Sequence, residues 1–140
     1  KTYVYRIWNS DMPNVFQRKW MYSIPEELNL SAIKEGAELL LGTYDFAAFC
    51  SLKQKRKSTV RTIYSLEVEK RGEEVCIVVT GNGFLHHMVR ILVGTLVEIG
   101  QGKREPKDIP AILKSRNRER AGITMPAKGL TLWQVTYSKE

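Results

Sequence analysis

The chain has 140 residues, 43% of them hydrophobic, and a formal net charge of +7, figures that fit one compact domain with a real core and favour a polyanionic partner. Its two cysteines, Cys50 and Cys76, show neither CxxC spacing nor a histidine at ligand spacing, which argues against a disulfide framework or a zinc site and for a reducing, cytoplasmic setting. No apolar run is long enough to cross a bilayer and no secretory leader pattern opens the chain, so a soluble protein with no membrane partner is expected.

The opening segment KTYVYRIW starts on Lys1 and alternates at once, which predicts a strand over Thr2–Trp8 and suggests a piece of a longer protein. Residues 9–25 carry Pro13, Pro25 and scattered aromatics without a period; a loop is expected there, with a short extended piece at 19–22. NLSAIKEGAELLLG reads as a helix, with Ser31 as N-cap, Ile33, Ala37, Leu40 and Leu41 as its apolar stripe and Gly42 as its stop. After TYDFAAF comes SLKQKRKSTVR, in which Lys53, Lys55, Arg56, Lys57 and Arg61 make an exposed loop, either a solvated linker or a phosphate contact.

Two strand-like runs, RTIYSLEVEK and EEVCIVVTG, flank Arg71, Gly72 and Glu73. They predict a hairpin whose second strand, apolar from Val75 to Val79, is central. Residues 84–99 form a long helical pattern closed by Gly100 and Gly102, residues 106–115 a shorter helix, and residues 130–137 a last alternating strand. The order β-α-β-β-α-α-β predicts an α+β fold: an antiparallel sheet of about four strands with helices on one face, RRM-like or ferredoxin-like with one added helix.

The stretch GNGFLHHMVRILVG puts two histidines and an arginine into this long helix. At about 100° per residue, Phe84, Met88, Ile91, Leu92, Thr95, Leu96 and Ile99 form a broad apolar arc continued by Leu85 and Val89. His86, His87, Arg90, Gly94 and Glu98 take the remaining sector. So wide an arc implies cover on more than one side. The histidines are consecutive, unlike metal ligands at i and i+4 on a helix, and no metal site is expected. Each reads most simply as a first-turn histidine bonded to neighbouring backbone or standing at the rim of a basic surface; an acid/base role stays open. Arg90 keeps its charge and, facing a crevice, needs an anion. Glu98 and Glu74 are near in sequence but at unconvincing spacing, so the partner is expected outside this chain.

NGFLHHMVRILVGTLVEIGQG resembles the signature helix of the tRNA pseudouridine synthase A (TruA) family. KTYVYRIW, ELLLGTYDFAAF and RAGITMPAKGLTLWQVTY resemble other stretches of that family in the same order, so the likeness covers nearly the whole chain. It implies one half of the pseudouridine synthase fold, the C-terminal RNA-binding and active-site-lining domain. The implied enzyme is an isomerase without a cofactor that converts uridine to pseudouridine in the anticodon stem-loop of tRNA, as a homodimer. The family nucleophile, an aspartate in an RTD-type motif, would lie upstream; Asp11, Asp45 and Asp108 stand in no such motif.

Carried over position by position, the resemblance sets Tyr3, first of the YxY pair, against the target base and Leu130 in the wall of the uracil pocket. Arg90 becomes the partner of the catalytic aspartate. Thr131 departs from the aromatic or larger apolar residue common after GL in the family. The basic loop from Lys53 to Arg61, with Arg116, Arg118 and Arg120, would contact RNA. The competing reading, a non-catalytic RRM-like RNA-binding module, lacks the RNP1 aromatic pattern in both hairpin strands.

Overall fold

The computed structural model describes residues 1–16, 19–52 and 58–134. Alternation in the first segment produces β1 (Thr2–Trp8), with Tyr5 and Ile7 fully buried and their neighbours only partly so. The predicted hairpin forms between β4 (Val60–Arg71) and β5 (Glu74–Gly81). Its turn holds Gly72 at φ +60, a left-handed conformation that glycine adopts without a Cβ clash. β5 lies between β1 and β4, the central place that its continuous apolar run requires.

Beyond these come β2 (Tyr22–Ser23), β3 (Gly42–Asp45) and β6 (Leu130–Gln134), in a six-stranded sheet of order β2-β1-β5-β4-β3 with β6 also on β1. β6 pairs with Thr2 to Tyr5 and β2 with Ile7 and Trp8, so the two share one edge of β1; among the described residues only the β1–β2 pairing is parallel. The α+β fold is as expected, but the sheet has six strands in place of about four. The additions, β2 at the end of the short extended piece expected at 19–22 and β3 directly after the first helix, are too short to show a period of two. They become strands by pairing: Thr43 sits opposite Thr62, their hydroxyls 2.7 Å apart. The last three residues of the expected final strand lie outside the described residues.

Three helices, α1 (Leu30–Glu38), α2 (Met88–Gly100) and α3 (Ile109–Ser115), pack with the buried sheet residues into one core that includes Ile7, Ile33, Ile77, Leu92 and Ile109. The cap of α1 is Asn29, not Ser31: its side chain accepts from the Ala32 N–H at 3.1 Å, and its own N–H donates to the Gly100 carbonyl at 2.9 Å. Either residue type can cap; the tie to the end of α2 selects the earlier one. Helix α2 starts at Met88, four residues later than its apolar pattern, because His87 takes a left-handed φ of +60 and breaks the turn. Every residue of α2 is buried except Arg90 and Glu98, which agrees with the cover on several sides that its wide apolar arc implies.

On the open side of the sheet, Arg6 and Glu74 pair at 2.6 Å, and the Cys76 thiol donates to Glu74 at 3.3 Å. The pair holds Glu74 below its ordinary carboxylate range, while burial, then the hydrogen bond to Glu74, push Cys76 up to about 11. Only about 0.1% of such a thiol is thiolate at pH 8. Alkylation of Cys76 by iodoacetamide is therefore expected to run at least about 100-fold slower in the folded protein than in urea. Equal rates by mass spectrometry would refute this environment.

Candidate functional site

The site is assembled by a strap, residues 121–125, that lies directly on α2. Gly94 makes this possible: a Cβ there would stand 1.8 Å from the Ile123 carbonyl oxygen. At the next residue, the Thr95 hydroxyl donates to the Ile91 carbonyl at 2.8 Å and accepts the Gly122 N–H at 2.9 Å. Arg104 clamps the near end, its Nε on Glu98 at 2.8 Å and its two terminal nitrogens on the carbonyls of Arg120 and Ala121 at 2.7 and 3.0 Å.

At the far end the Met125 N–H donates to the Arg90 carbonyl at 3.1 Å, and Arg90 Nε donates to the Met125 carbonyl at 2.6 Å. Tyr5 then anchors the exit, its hydroxyl donating to the Pro126 carbonyl at 2.6 Å. Burial drives the Tyr5 phenol far above its usual range, so it stays a donor. From there the chain enters β6 with Leu130 opposite Tyr5.

Where β1, the start of α2 and the entry of β6 meet there is a crevice of about 200 Å³, lined among others by Tyr3, Phe84, His87, Arg90, Ala127 and Leu130. Tyr3 and Phe84 stand edge to face, ring centres 5.3 Å apart. Drug-sized ligands take roughly 300 Å³ or more; this space suits one heterocyclic ring. Depressions of about 560 and 760 Å³ lie elsewhere, near Tyr44 and Lys114 and near Thr59 and Arg118, and neither is lined by Tyr3, Arg90 or Leu130. The three residues singled out by resemblance thus come together on one small crevice.

Arg90 takes part in none of the ion pairs among the described residues. Both carboxylates near it in sequence are engaged, Glu98 by Arg104 and Glu74 by Arg6. With Nε held by a carbonyl, its two terminal nitrogens, which have no partner among the described residues, are the part of the guanidinium fork left for a planar anion. No aspartate lines the crevice. Asp45 accepts from Thr59 and the Ala47 N–H, and Asp108 from the Glu105 N–H.

The histidines are not where a helical wheel puts them. Both precede α2, with rings stacked at 3.8 Å and an interplanar angle of 29°. The Ser51 hydroxyl meets Nδ1 of His86 at 2.6 Å and Nδ1 of His87 at 3.1 Å, and the Ser51 N–H donates to the His86 carbonyl at 3.2 Å. Neither ring bonds to backbone among the described residues. A non-glycine residue held at φ +60 costs about 1–3 kcal/mol, and His87, at the N-cap position, gives the helix no side-chain cap in return. Desolvation, then the neighbouring His86 and Arg90, lower its pKa, which favours the neutral ring.

Of the basic residues, Lys53, Lys55, Arg56 and Lys57 lie outside the described residues. Arg61 turns onto its own backbone, donating to the Ser58 and Val60 carbonyls at 2.8 Å each. Arg116 approaches Asp45 at 4.0 Å, Arg118 donates to Thr124 at 3.0 Å, and Arg120 is exposed. Sequence reasoning missed Phe84, Ala127 and the strap. One signal was available: a glycine inside a helix, about 1 kcal/mol worse than alanine there, marks a close crossing at Gly94.

A family model described as tRNA pseudouridine synthase matches residues 37–138. The tRNA pseudouridine synthase A of Brevibacillus brevis is 48% identical over 98% of this chain, and tRNA pseudouridine synthase A 1 of Bacillus cereus is 46% identical over 99% of it. That of Geobacillus kaustophilus is 46% identical over the whole chain. In each case the chain spans about half of the relative, 54 to 56% of its length. With the family model over most of the chain and nearly half of its residues identical to these relatives, the chain belongs to the tRNA pseudouridine synthase A family.

Proposed function

We propose that this chain is the C-terminal, active-site-lining part of an enzyme that isomerises uridine to pseudouridine in the anticodon stem-loop of tRNA. The observation that carries the reading is a half-buried arginine without a carboxylate among the described residues, beside an aromatic and an aliphatic wall, in a space the size of one base. Isomerisation moves the glycosidic bond from N1 to C5 of the base, so the base must leave its stack, turn and reattach. Extrusion costs a few kcal/mol, offset by stacking and phosphate contacts.

In this scheme Tyr3 packs against the extruded base and Leu130 lines its other boundary. The fork of Arg90 holds an aspartate ionised, since a charge-assisted pair favours the carboxylate. That aspartate belongs to a part of the protein outside this chain. The basic residues from Lys53 to Arg61, with Arg116, Arg118 and Arg120, supply RNA backbone contacts, and the enzyme works as a cytoplasmic homodimer. The identity to named synthases along the whole chain favours this over an RRM-like binding module.

Tritium release from tRNA labelled at uridine C5 tests the proposal. The full-length protein is expected to turn over and the isolated 140-residue chain to give none; turnover by the isolated chain would place the nucleophile within it and sink the division of labour. Affinity of the full-length protein for an anticodon arm is expected to fall steeply as salt rises, in proportion to the phosphates neutralised.

A further inference from the structure

We infer that His87 is a base-contacting residue of this crevice, held in place by Ser51, with its Nε2 as the hydrogen-bonding group offered to the nucleobase. The inference rests on the function proposed above and adds to it a polar contact that Tyr3, Leu130 and Arg90 do not supply.

Four observations converge. His87 lines the same crevice as Tyr3, Arg90 and Leu130. Its Nδ1 is taken by Ser51 at 3.1 Å, and Nε2 has no partner among the described residues. Its backbone is held at φ +60, where glycine or asparagine would sit more easily, and its side chain makes no cap bond to α2. A histidine kept in an unfavourable conformation, at a position where the side chain usually caps the helix and here does not, points to a role for its ring. His86 does not line the crevice; stacked on His87, it fixes the plane of that ring.

The chemistry of the cluster fits a neutral base. Ser51 has one hydroxyl proton and faces two Nδ1 atoms, so it donates to one and accepts from the other. In the neutral cluster the two rings therefore hold opposite tautomers, one Nε2 a donor and the other an acceptor. Uracil carries two carbonyl acceptors and one N–H donor on its edge, and a neutral imidazole can meet either kind. The lowered pKa of His87 agrees with a neutral ring beside Arg90.

The test uses the full-length protein and tritium release, with His87→Gly, His87→Asn and Ser51→Ala. Glycine suits φ +60, so His87→Gly is expected to keep the thermal midpoint and the affinity for tRNA while kcat falls about 10- to 100-fold, the range of one lost hydrogen bond to a buried polar group. A contact made only after extrusion acts on kcat more than on KM. Asparagine tolerates the same backbone and keeps a hydrogen-bonding group, so His87→Asn is expected to recover part of the loss.

Ser51 acts through His87: Ser51→Ala slows the wild-type enzyme but adds nothing in the His87→Gly background. Wild-type kcat in His87→Gly overturns the inference, as does a stable His87→Asn no faster than His87→Gly. A full-length wild-type protein that forms no pseudouridine removes the function proposed above and the inference with it. Activity in wild type together with an indifferent His87→Gly removes the inference alone.

Discussion

Replacing Gly94 by alanine is expected to destabilise the protein by about 3 kcal/mol or more, although alanine is the better helix former by roughly 1 kcal/mol. The added Cβ would lie 1.8 Å from the Ile123 carbonyl oxygen and 2.8 Å from its carbonyl carbon. Both are backbone atoms, so no rotamer change relieves the overlap; α2 and the strap must separate. Separation strains the Gly122–Thr95 bond, the Arg104 clamp and the reciprocal Arg90–Met125 bonds together, each worth about 1 kcal/mol. The check is the urea midpoint of the full-length protein at unchanged slope. A midpoint equal to or above that of the wild type would show that strap and helix do not cross so closely in solution.

Arg90→Ala in the full-length protein is expected to lower kcat/KM by about 10²–10³-fold, the scale of losing one preorganised electrostatic contact at a reacting centre. Arg90→Lys is expected to rescue little. Lysine keeps the charge but cannot hold the Met125 carbonyl through Nε and present a planar fork at the same time. Removing the side chain also leaves that carbonyl without its partner, at a cost of about 1–3 kcal/mol, so the thermal midpoint is to be followed alongside activity. The backbone bond from Met125 to the Arg90 carbonyl survives either substitution. Full activity in the lysine variant would show that charge alone suffices and that the fork geometry assigned to Arg90 is wrong.

The two expectations are linked by one helical turn. Arg90 and Gly94 are four residues apart on α2 and so lie on one face. The missing Cβ of Gly94 lets the strap come down, and the strap delivers the carbonyl that orients Arg90. Two stretches widely separated in the chain, HHMVRILVG and RAGITMP, are therefore halves of one device. Read separately, the first is an apolar helix with a stray arginine and the second a loop.

Sequence by itself determined what depends on local repetition. The alternation of β1, β4 and β5 and the apolar stripes of α1 and α2 span enough residues for a period to show, and from them follow the α+β class, the central place of β5 and a helix covered on several sides. It also isolated Arg90 as a charge in want of an anion, because ionisation is a property of the residue itself. Only the tertiary structure decided the rest: that GTYD is a strand, that Asn29 caps α1 in place of Ser31, that α2 begins at Met88, and that His87 lines the crevice and bonds to Ser51. Each of these depends on a partner distant in the chain, Thr62 for Thr43, Gly100 for Asn29, Ser51 for His87. No local period records such a partner, since its energy exists only once the fold has brought the two segments together.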